Sequence, residues 1–309
     1  MTILAGMTGA NPRDFLAALG LLRVLAELHP QARLSFRNDG VFAPDIDGID
    51  ARRIVDLVVQ DAESQAGPQP WRLEYQKTEK RGTKLVADLK PPPDVFRAFM
   101  TKALAAWRAG EREAVAFAAA FATDVARDGK GNTKPTALHF TAANQQFLDT
   151  VETVRASIDR TWCEAALFVG HAERSGPNLR WDPAADRAYA LMADDPNNRG
   201  TTVNAPLEWL AFRGLPLLPV IPVGTKAETT AVRGRGDEMR FRWPLWSTPA
   251  SLRTVESLVR LNWLQPDRTD MTVCTSEIRR SAQGFGNFGP AQVTTVLLPP
   301  KRRVGRSRA

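Results

Sequence analysis

The chain has few of the residues on which disulfide frameworks, metal sites and many enzymes depend. Its 309 residues include two cysteines and three histidines. Cys163 and Cys274 lie far apart in the sequence, which favours two buried small hydrophobes over a disulfide framework or a cysteine-based zinc site. The histidines His29, His139 and His171 have no carboxylate partner at helical spacing. We therefore predict structural histidines, no metal site and no cofactor.

The sequence also lacks the short motifs of common hydrolases and nucleotide-binding proteins. It contains no H-E-x-x-H, no His-Asp doublet and no G-x-S-x-G segment. The glycines of loop 128–135 are too close together for a phosphate-binding loop. Asp182 and Asp186 could approach one metal ion, although capping of a helix N-terminus explains both. We predict a non-enzymatic protein without catalytic residues, and keep a metal-dependent hydrolase as an alternative.

Long apolar runs are missing as well. No run reaches the roughly 18 residues of a membrane-spanning helix, and the first twelve residues lack the basic end and apolar core of a signal peptide. We therefore expect a cytoplasmic protein without a membrane partner. A hydrophobic content of 43% predicts a folded chain with a substantial core.

The pattern of apolar residues, prolines and glycines predicts an α+β fold, with mixed helices and short, largely antiparallel strands in a compact globule. Residues 11–30 are typical of a buried helix, because Asn11 can cap it, Pro12 suits its first turn and Pro30 ends it. We expect an N-terminal α/β part with a basic hairpin and a helical segment (1–175), a C-terminal α+β part (176–300) and a flexible basic tail (301–309). A single domain is the alternative, since no clear linker separates the two parts.

Positive charge is concentrated in a few segments. The formal net charge is +7, but the C-terminal tail supplies five positive charges, and the remaining chain has 36 basic against 34 acidic residues. Such a tail suits either a solvated end or an arm that binds a phosphate backbone. The basic residues of the tail are Lys301, Arg302, Arg303, Arg306 and Arg308.

Three internal segments add further candidates for binding nucleic acid. A predicted hairpin over 71–89 carries four basic residues at its turn, loop 128–135 carries two lysines, and a second predicted hairpin over 225–246 carries four arginines. In the glycine-rich segment 281–292, two phenylalanines could stack on bases, although a turn that buries both is the alternative. The candidates are Lys77, Lys80, Arg81, Lys84, Lys130, Lys134, Arg233, Arg235, Arg240, Arg242, Phe285 and Phe288.

Two stretches carry a resemblance to a known family. Residues 1–27 contain a short predicted strand that leads into a helix with the sequence ALGLLR. Residues 178–191, with NAPLE at 204–208 and LPLLP at 215–219, form the second stretch. Both resemble CRISPR-associated effector proteins of type I-G, formerly I-U, either a compact large subunit or the helicase-nuclease extension protein.

The resemblance implies a non-enzymatic, nucleic-acid-binding subunit of a type I surveillance complex in antiviral defence. Such a large subunit contacts double-stranded target DNA and recognises a short motif beside the target, while base pairing with guide RNA reads the sequence. The implied partners are guide RNA, target DNA, the other effector subunits and the helicase-nuclease. An adaptor that docks the helicase-nuclease on the complex is the alternative role.

Overall fold

Helices and short antiparallel strands follow one another along the chain. The computed structural model describes residues 1–79, 82–141, 145–185, 201–261, 271–280 and 286–295. Within these ranges the α-helices are α1 (Pro12–Leu28), α2 (Ala51–Ser64), α3 (Pro93–Arg108), α4 (Arg112–Phe121), α5 (Phe147–Ala156), α6 (Arg160–Glu164), α7 (Ala205–Gly214) and α8 (Leu252–Arg260). A π-helical turn, Ala165–Val169, extends α6.

The strands of the same ranges form two sheets and several hairpins. They are β1 (Thr2–Ile3), β2 (Arg33–Phe36), β3 (Pro44–Asp47), β4 (Glu74–Glu79), β5 (Gly82–Ala87), β6 (Ala122–Arg127), β7 (Thr133–Pro135), β8 (Arg174–Ser175), β9 (Thr202–Val203), β10 (Val220–Val223), β11 (Lys226–Thr229), β12 (Val232–Arg233), β13 (Arg240–Leu245), β14 (Thr272–Arg280), β15 (Gly286–Phe288) and β16 (Gln292–Thr295). The larger sheet has the order β12-β13-β14-β15, with β16 also paired to β14, and the smaller sheet has the order β1-β3-β2. The remaining strands form the two-stranded pairs β4-β5, β6-β7, β8-β9 and β10-β11.

Helix α1 begins where the sequence predicts it. The side chain of Asn11 accepts a hydrogen bond from the backbone N–H of Arg13 at 2.9 Å, and Pro12 occupies the first turn. The helix ends at Leu28, just before Pro30, because the residue before a proline is disfavoured in the helical region. The apolar residues from Phe15 to Leu25 are buried, as predicted, whereas Leu28 in the last turn is exposed.

Glycines let helices α1 and α7 approach at backbone distance. A Cβ atom added at Gly20 would overlap the carbonyl oxygen of Leu210 and lie 2.7 Å from the backbone nitrogen of Gly214. A Cβ atom added at Gly214 would in turn overlap the carbonyl oxygen of Leu16. The two helices therefore pack without side chains at their crossing point.

One continuous hydrophobic core contains residues from both halves of the chain. Phe15 of α1 lies 5.7 Å from Trp243 of β13, measured between ring centroids. A backbone pairing between Leu34 and Ala250 links strand β2 to the segment before α8. The structure confirms the predicted α+β fold with short antiparallel strands.

Two buried arginines neutralise carboxylates inside this core. Arg13 lies 2.9 Å from Asp14 and 2.6 Å from Asp182, measured between guanidinium nitrogen and carboxylate oxygen. Arg213 is fully buried, lies 3.0 Å from Asp61 and also pairs with Glu113. These ion pairs let the N-terminus of α1 and the C-terminal end of α7 be buried, since an unpaired charge there would be costly.

The structure departs from the predicted elements in two places that shape the candidate site. The sequence predicted a polar loop over 128–135, but residues 133–135 form strand β7, which pairs with β6 to make a hairpin. The predicted hairpin over 225–246 is present between β12 and β13, but its first residues form β11, which pairs with β10. In the described ranges, no helix is long and apolar enough to cross a membrane.

Candidate nucleic-acid interface

A cavity of about 530 Å³ opens between the β6-β7 hairpin, strands β11 and β12, and the end of β14. Six basic side chains from distant parts of the sequence line it, and we call it the basic cavity. They are Lys90, Lys134, Lys226, Arg233, Arg235 and Arg280. Two carboxylates, Asp128 and Glu228, also line it, so its charged side chains are predominantly positive. Three of the six basic residues, Lys134, Arg233 and Arg235, were predicted from the sequence.

The β6-β7 hairpin places Lys134 at the cavity. Its turn is closed by Asp128, whose carboxylate Oδ1 accepts hydrogen bonds from the backbone N–H groups of Lys130 at 2.8 Å and Asn132 at 2.9 Å. Asp128 has a strong tendency to form such turns because its short side chain bonds its own backbone. Lys130 and Lys134 are exposed on this fixed turn.

Strand β11 is joined to the segment after β7 through a buried threonine. The hydroxyl of Thr229 accepts a hydrogen bond from the backbone N–H of Ala137 at 2.7 Å and lies 3.2 Å from the hydroxyl of Thr136. Because side chains alternate along a strand, Lys226 and Glu228 are exposed while Thr229 is buried. This link makes β11 one wall of the cavity.

Arg280 is held at the opposite wall by main-chain acceptors. Its guanidinium donates to the carbonyl of Ala137 at 3.1 Å and to the carbonyl of His139 at 3.3 Å, and it lies over the ring of Phe140 at 5.8 Å. Burial lowers the pKa of Arg280 from its ordinary value. Since carbonyls and an aromatic ring carry no net charge, they leave the positive charge of this arginine uncompensated.

Lys90 is a half-buried lysine that lies among charges of both signs. Burial lowers the pKa of Lys90, and the charges of Arg280 and Lys130 lower it further, whereas Asp88 and Asp128 act in the opposite direction. An anion bound in the cavity would stabilise the charged form of this lysine. The site is therefore electrostatically suited to phosphate or another anionic group.

A buried histidine supports the cavity. The Nε2 atom of His139 lies 3.0 Å from Asp88 Oδ1 and 3.0 Å from the Thr141 hydroxyl. Burial lowers the pKa of His139, and Asp88 only partly opposes this effect. Burial also opposes ionisation of Asp88, but hydrogen bonds from His139 and nearby backbone N–H groups keep the pKa of Asp88 below its usual value. Both pKa shifts fit a neutral His139 ring whose Nε2–H donates a hydrogen bond to the ionised carboxylate of Asp88.

The outer face of the larger sheet carries further arginines. Strand register places Arg233 opposite Arg240, Arg240 opposite Glu277, and Arg242 opposite Thr275. Arg240 forms an ion pair with Glu277 at 2.9 Å, and the Nε atom of Arg242 donates to the Thr275 hydroxyl at 3.3 Å.

Arg279 also belongs to this surface. It lies two residues beyond Glu277 on β14 and 3.5 Å from its carboxylate. We call Arg233, Arg240, Arg242 and Arg279 the arginine face. Among the residues that the structure describes, strand register places the acid Glu277 between these arginines. The arginine face meets the basic cavity at Arg233.

The predicted basic hairpin near residue 80 is present. Strands β4 and β5 pair antiparallel with Lys77 directly opposite Lys84, so two like charges lie side by side. Lys84 is exposed and Lys77 is half-buried. Lys80 and Arg81 lie outside the described residues.

The structure contradicts the proposed stacking role of Phe288. Its ring is fully buried, 4.9 Å from Phe140 and 5.4 Å from Phe241 between ring centroids. Gly286 packs directly against Phe140, which brings strand β15 onto the core. Phe288 is thus a core residue, as the alternative interpretation of this segment expected. Phe285 and the tail residues Lys301, Arg302, Arg303, Arg306 and Arg308 lie outside the described residues.

The carboxylate considered for the hydrolase alternative already has partners. Asp182 pairs with Arg13 and accepts a hydrogen bond from the Asn11 side chain at 3.1 Å. Asp186 lies outside the described residues. In the described part of the chain, no group of three or more His, Cys, Asp or Glu side chains is arranged to hold a metal ion.

Three of the six basic residues that line the cavity were not predicted from the sequence. Lys90 stands apart from other basic residues in the sequence, Lys226 lies in the predicted hairpin over 225–246, and Arg280 follows Arg279. Asp88 is the carboxylate partner of His139, but 51 positions separate the two residues. The Arg279-Arg280 doublet and the position of Lys226 in the predicted hairpin were the available signals.

No protein-family model matches this chain, and no curated protein matches its sequence.

Proposed function

We propose that this protein binds nucleic acid through the basic cavity and the arginine face. The observation that carries the proposal is the grouping of six basic side chains around one cavity that also holds two acids. Outside the cavity and the tail 301–309, the chain has 30 basic (41 − 5 − 6) and 32 acidic (34 − 2) residues. Clustered like charges repel one another, and a polyanion relieves that repulsion.

The arrangement suits a phosphate backbone better than a single small anion. The arginine face continues from Arg233 across strands β13 and β14, so positive charge extends beyond the cavity. Arginine guanidinium groups bind phosphate oxygens in a bidentate manner, which fixes the position of a strand as well as attracting it. Lys77 and Lys84 of the β4-β5 hairpin provide additional positive charge.

Together with the resemblance to type I-G proteins, this surface supports a more specific role. We infer that the protein is a non-enzymatic, cytoplasmic subunit of a type I CRISPR surveillance complex that contacts target DNA and the motif beside it. Guide RNA and the other effector subunits are then its partners. The tail 301–309 supplies a second basic segment for the same ligand.

The experiment is duplex DNA binding over a salt series with two variants of equal charge. The cavity variant replaces Lys134, Lys226, Arg233 and Arg235 with glutamine. The control variant replaces four exposed basic residues that do not line the cavity, Arg52, Arg53, Lys102 and Arg253. Each lowers the formal net charge from +7 to +3, so a difference between them reports position rather than total charge.

We expect the cavity variant to bind more weakly and with a shallower salt dependence. Each phosphate contact contributes about 0.9 to the slope of log K against log salt, so losing four contacts lowers the slope by roughly 3 to 4. The control variant should keep most of the slope. Equal losses in both variants would refute the assignment of the cavity. A chain ending at Pro300 tests in the same assay how much of the affinity the tail supplies.

Co-purification tests the assignment to a complex. The tagged full chain should co-purify with the backbone subunits and guide RNA when they are produced together. Recovery of the helicase-nuclease alone would favour the adaptor role instead.

A further inference from the structure

We propose that the basic cavity accepts one unpaired nucleotide of a single strand, with the base inside the cavity and its phosphates at the basic rim. This inference rests on the proposed function and deepens it, because it names the form of nucleic acid that the site receives. The ligand chemistry is a nucleobase on a phosphorylated sugar.

The size of the cavity supports this assignment. A volume of about 530 Å³ lies within the range of small-molecule sites, which enclose one compact group. A duplex cannot place a base in such a cavity while its bases remain paired and stacked, since a base must first leave the stack. An unpaired strand has already lost that pairing, so insertion costs less for it.

The residues that line the cavity are both apolar and charged, which suits a nucleotide with its apolar base faces and its charged phosphates. The apolar residues that line the cavity are Pro135, Ala137, Ala227, Val232 and Met239. They offer carbon surfaces to the faces of a planar base. Glu228 also lines the cavity, and its carboxylate can accept from an exocyclic amino group.

The surroundings provide a path for the rest of the strand. Lys226, Arg233 and Arg235 supply cations for the phosphates next to an inserted base. Arg233 is also the first residue of the arginine face, so a strand leaving the cavity can continue over Arg240 and Arg242. A cavity for the base beside a cationic track for the backbone is the arrangement that single-strand binding requires.

The test compares four probes on the full chain: a short single strand, an abasic strand of the same length, the matching duplex and a mononucleotide. The main variant is Lys226→Trp, which fills part of the cavity from an exposed position. Its matched control is Lys226→Gln, because both remove the same charge and only tryptophan occupies the volume. Ala227 also lines the cavity, and because side chains alternate along β11, Ala227→Trp adds its ring on the face opposite to that of Lys226. Its control is Ala105→Trp on the exposed side of α3.

We expect the wild-type protein to bind the normal strand at least about fivefold more tightly than the abasic strand, the ratio that one stacked or buried base provides. Lys226→Trp and Ala227→Trp should abolish this preference, and Lys226→Gln should weaken both strands equally. The duplex should bind more weakly than the single strand at the same salt concentration.

Several results would overturn the inference. Equal binding of the normal and abasic strands would show that the site holds phosphates alone, which leaves the proposed function intact. A base preference that survives both filling variants would place the base elsewhere. If a mononucleotide binds as tightly as the strand, the ligand of the cavity is a free nucleotide and not a strand. Failure of every nucleic-acid probe to bind would instead refute the proposed function.

Discussion

Replacing Gly20 with alanine tests the close approach of helices α1 and α7. The added Cβ atom would lie 2.7 Å from the Gly214 nitrogen and 2.8 Å from the Leu210 carbonyl carbon, and closer still to the Leu210 oxygen. Carbon atoms in contact normally lie about 3.5 to 4.0 Å apart. The two helices would therefore have to separate by roughly 1 Å along a contact that is buried throughout.

The loss of stability in Gly20→Ala depends on which atoms must move to make room for the new Cβ atom. The neighbours of the new Cβ atom belong to the backbone of α7, so no side chain can rotate away. Overpacking of a core usually costs about 1 to 3 kcal/mol, and a rigid backbone neighbour places this variant at or above the upper value. Alanine has the higher helix propensity by up to about 1 kcal/mol, so the packing effect must overcome an opposing gain.

Thermal and urea denaturation of Gly20→Ala, Gly214→Ala and the double variant measure the effect. We expect each single variant to lose about 3 kcal/mol, with a fall in Tm of at least about 5 °C. The double variant should lose less than twice as much, because the first alanine already separates the helices. Gly129→Ala is the control, since its added Cβ atom would meet nothing within 4 Å. A Tm for Gly20→Ala within about 1 °C of this control would refute the close packing of α1 on α7.

Two further predictions concern buried residues. Burial raises the pKa of Glu208 to about 7 from 4.5, against the opposing charge of Arg13. The unfolded chain therefore ionises first, so this residue lowers the free energy of unfolding as pH rises from about 4.5 to 7, by roughly 3 kcal/mol. Glu208→Gln should gain stability relative to wild type over this interval in urea titrations. Phe288→Ala should lower the free energy of unfolding by about 3 to 5 kcal/mol through a core cavity, while the folded variant still binds nucleic acid.

Each of these predictions has an outcome that contradicts it. A constant difference in stability between Glu208→Gln and wild type from pH 4 to 8 would show that this carboxyl group has an ordinary pKa when folded. For Phe288, Asn287→Ala on the same strand is the control, because its side chain is only half-buried. Loss of binding by Phe288→Ala without a loss of stability would restore the stacking role that its burial contradicts.

Local chemistry made much of the fold predictable. Asn11, Pro12 and Pro30 marked the ends of α1. Gly110, which has a φ of 100°, separates α3 from α4. Such signals act within a few residues of the chain. They are therefore readable without knowledge of tertiary contacts.

Strand pairing was harder to predict, because it depends on competition between partners. Lys226–Thr229, at the start of the expected hairpin over 225–246, pairs with Val220–Val223, so the hairpin between β12 and β13 is shorter than expected. Strand β6 continues directly from α4, and its alanine-containing sequence resembles the preceding helix. Only the turn closed by Asp128 gives this hairpin a local signal.

The basic cavity could be predicted only in part for the same reason. Lys134, Arg233 and Arg235 belong to polar segments of the sequence in which basic residues are clustered, and such clusters are visible without a structure. Lys90 and Arg280 are 190 positions apart and meet through tertiary packing alone. The volume between them is a property of that packing, and no local pattern encodes it.

The glycine contact between α1 and α7 also has a consequence for biosynthesis. Gly20 leaves the ribosome long before Gly214, and nearly 200 residues must be added before its partner helix exists. At ~5 to 20 residues per second, this delay lasts roughly 10 to 40 s. During that time the apolar stripe of α1 lacks its final partner, so the nascent chain should depend on chaperones, and synthesis at low temperature should increase the yield of folded protein.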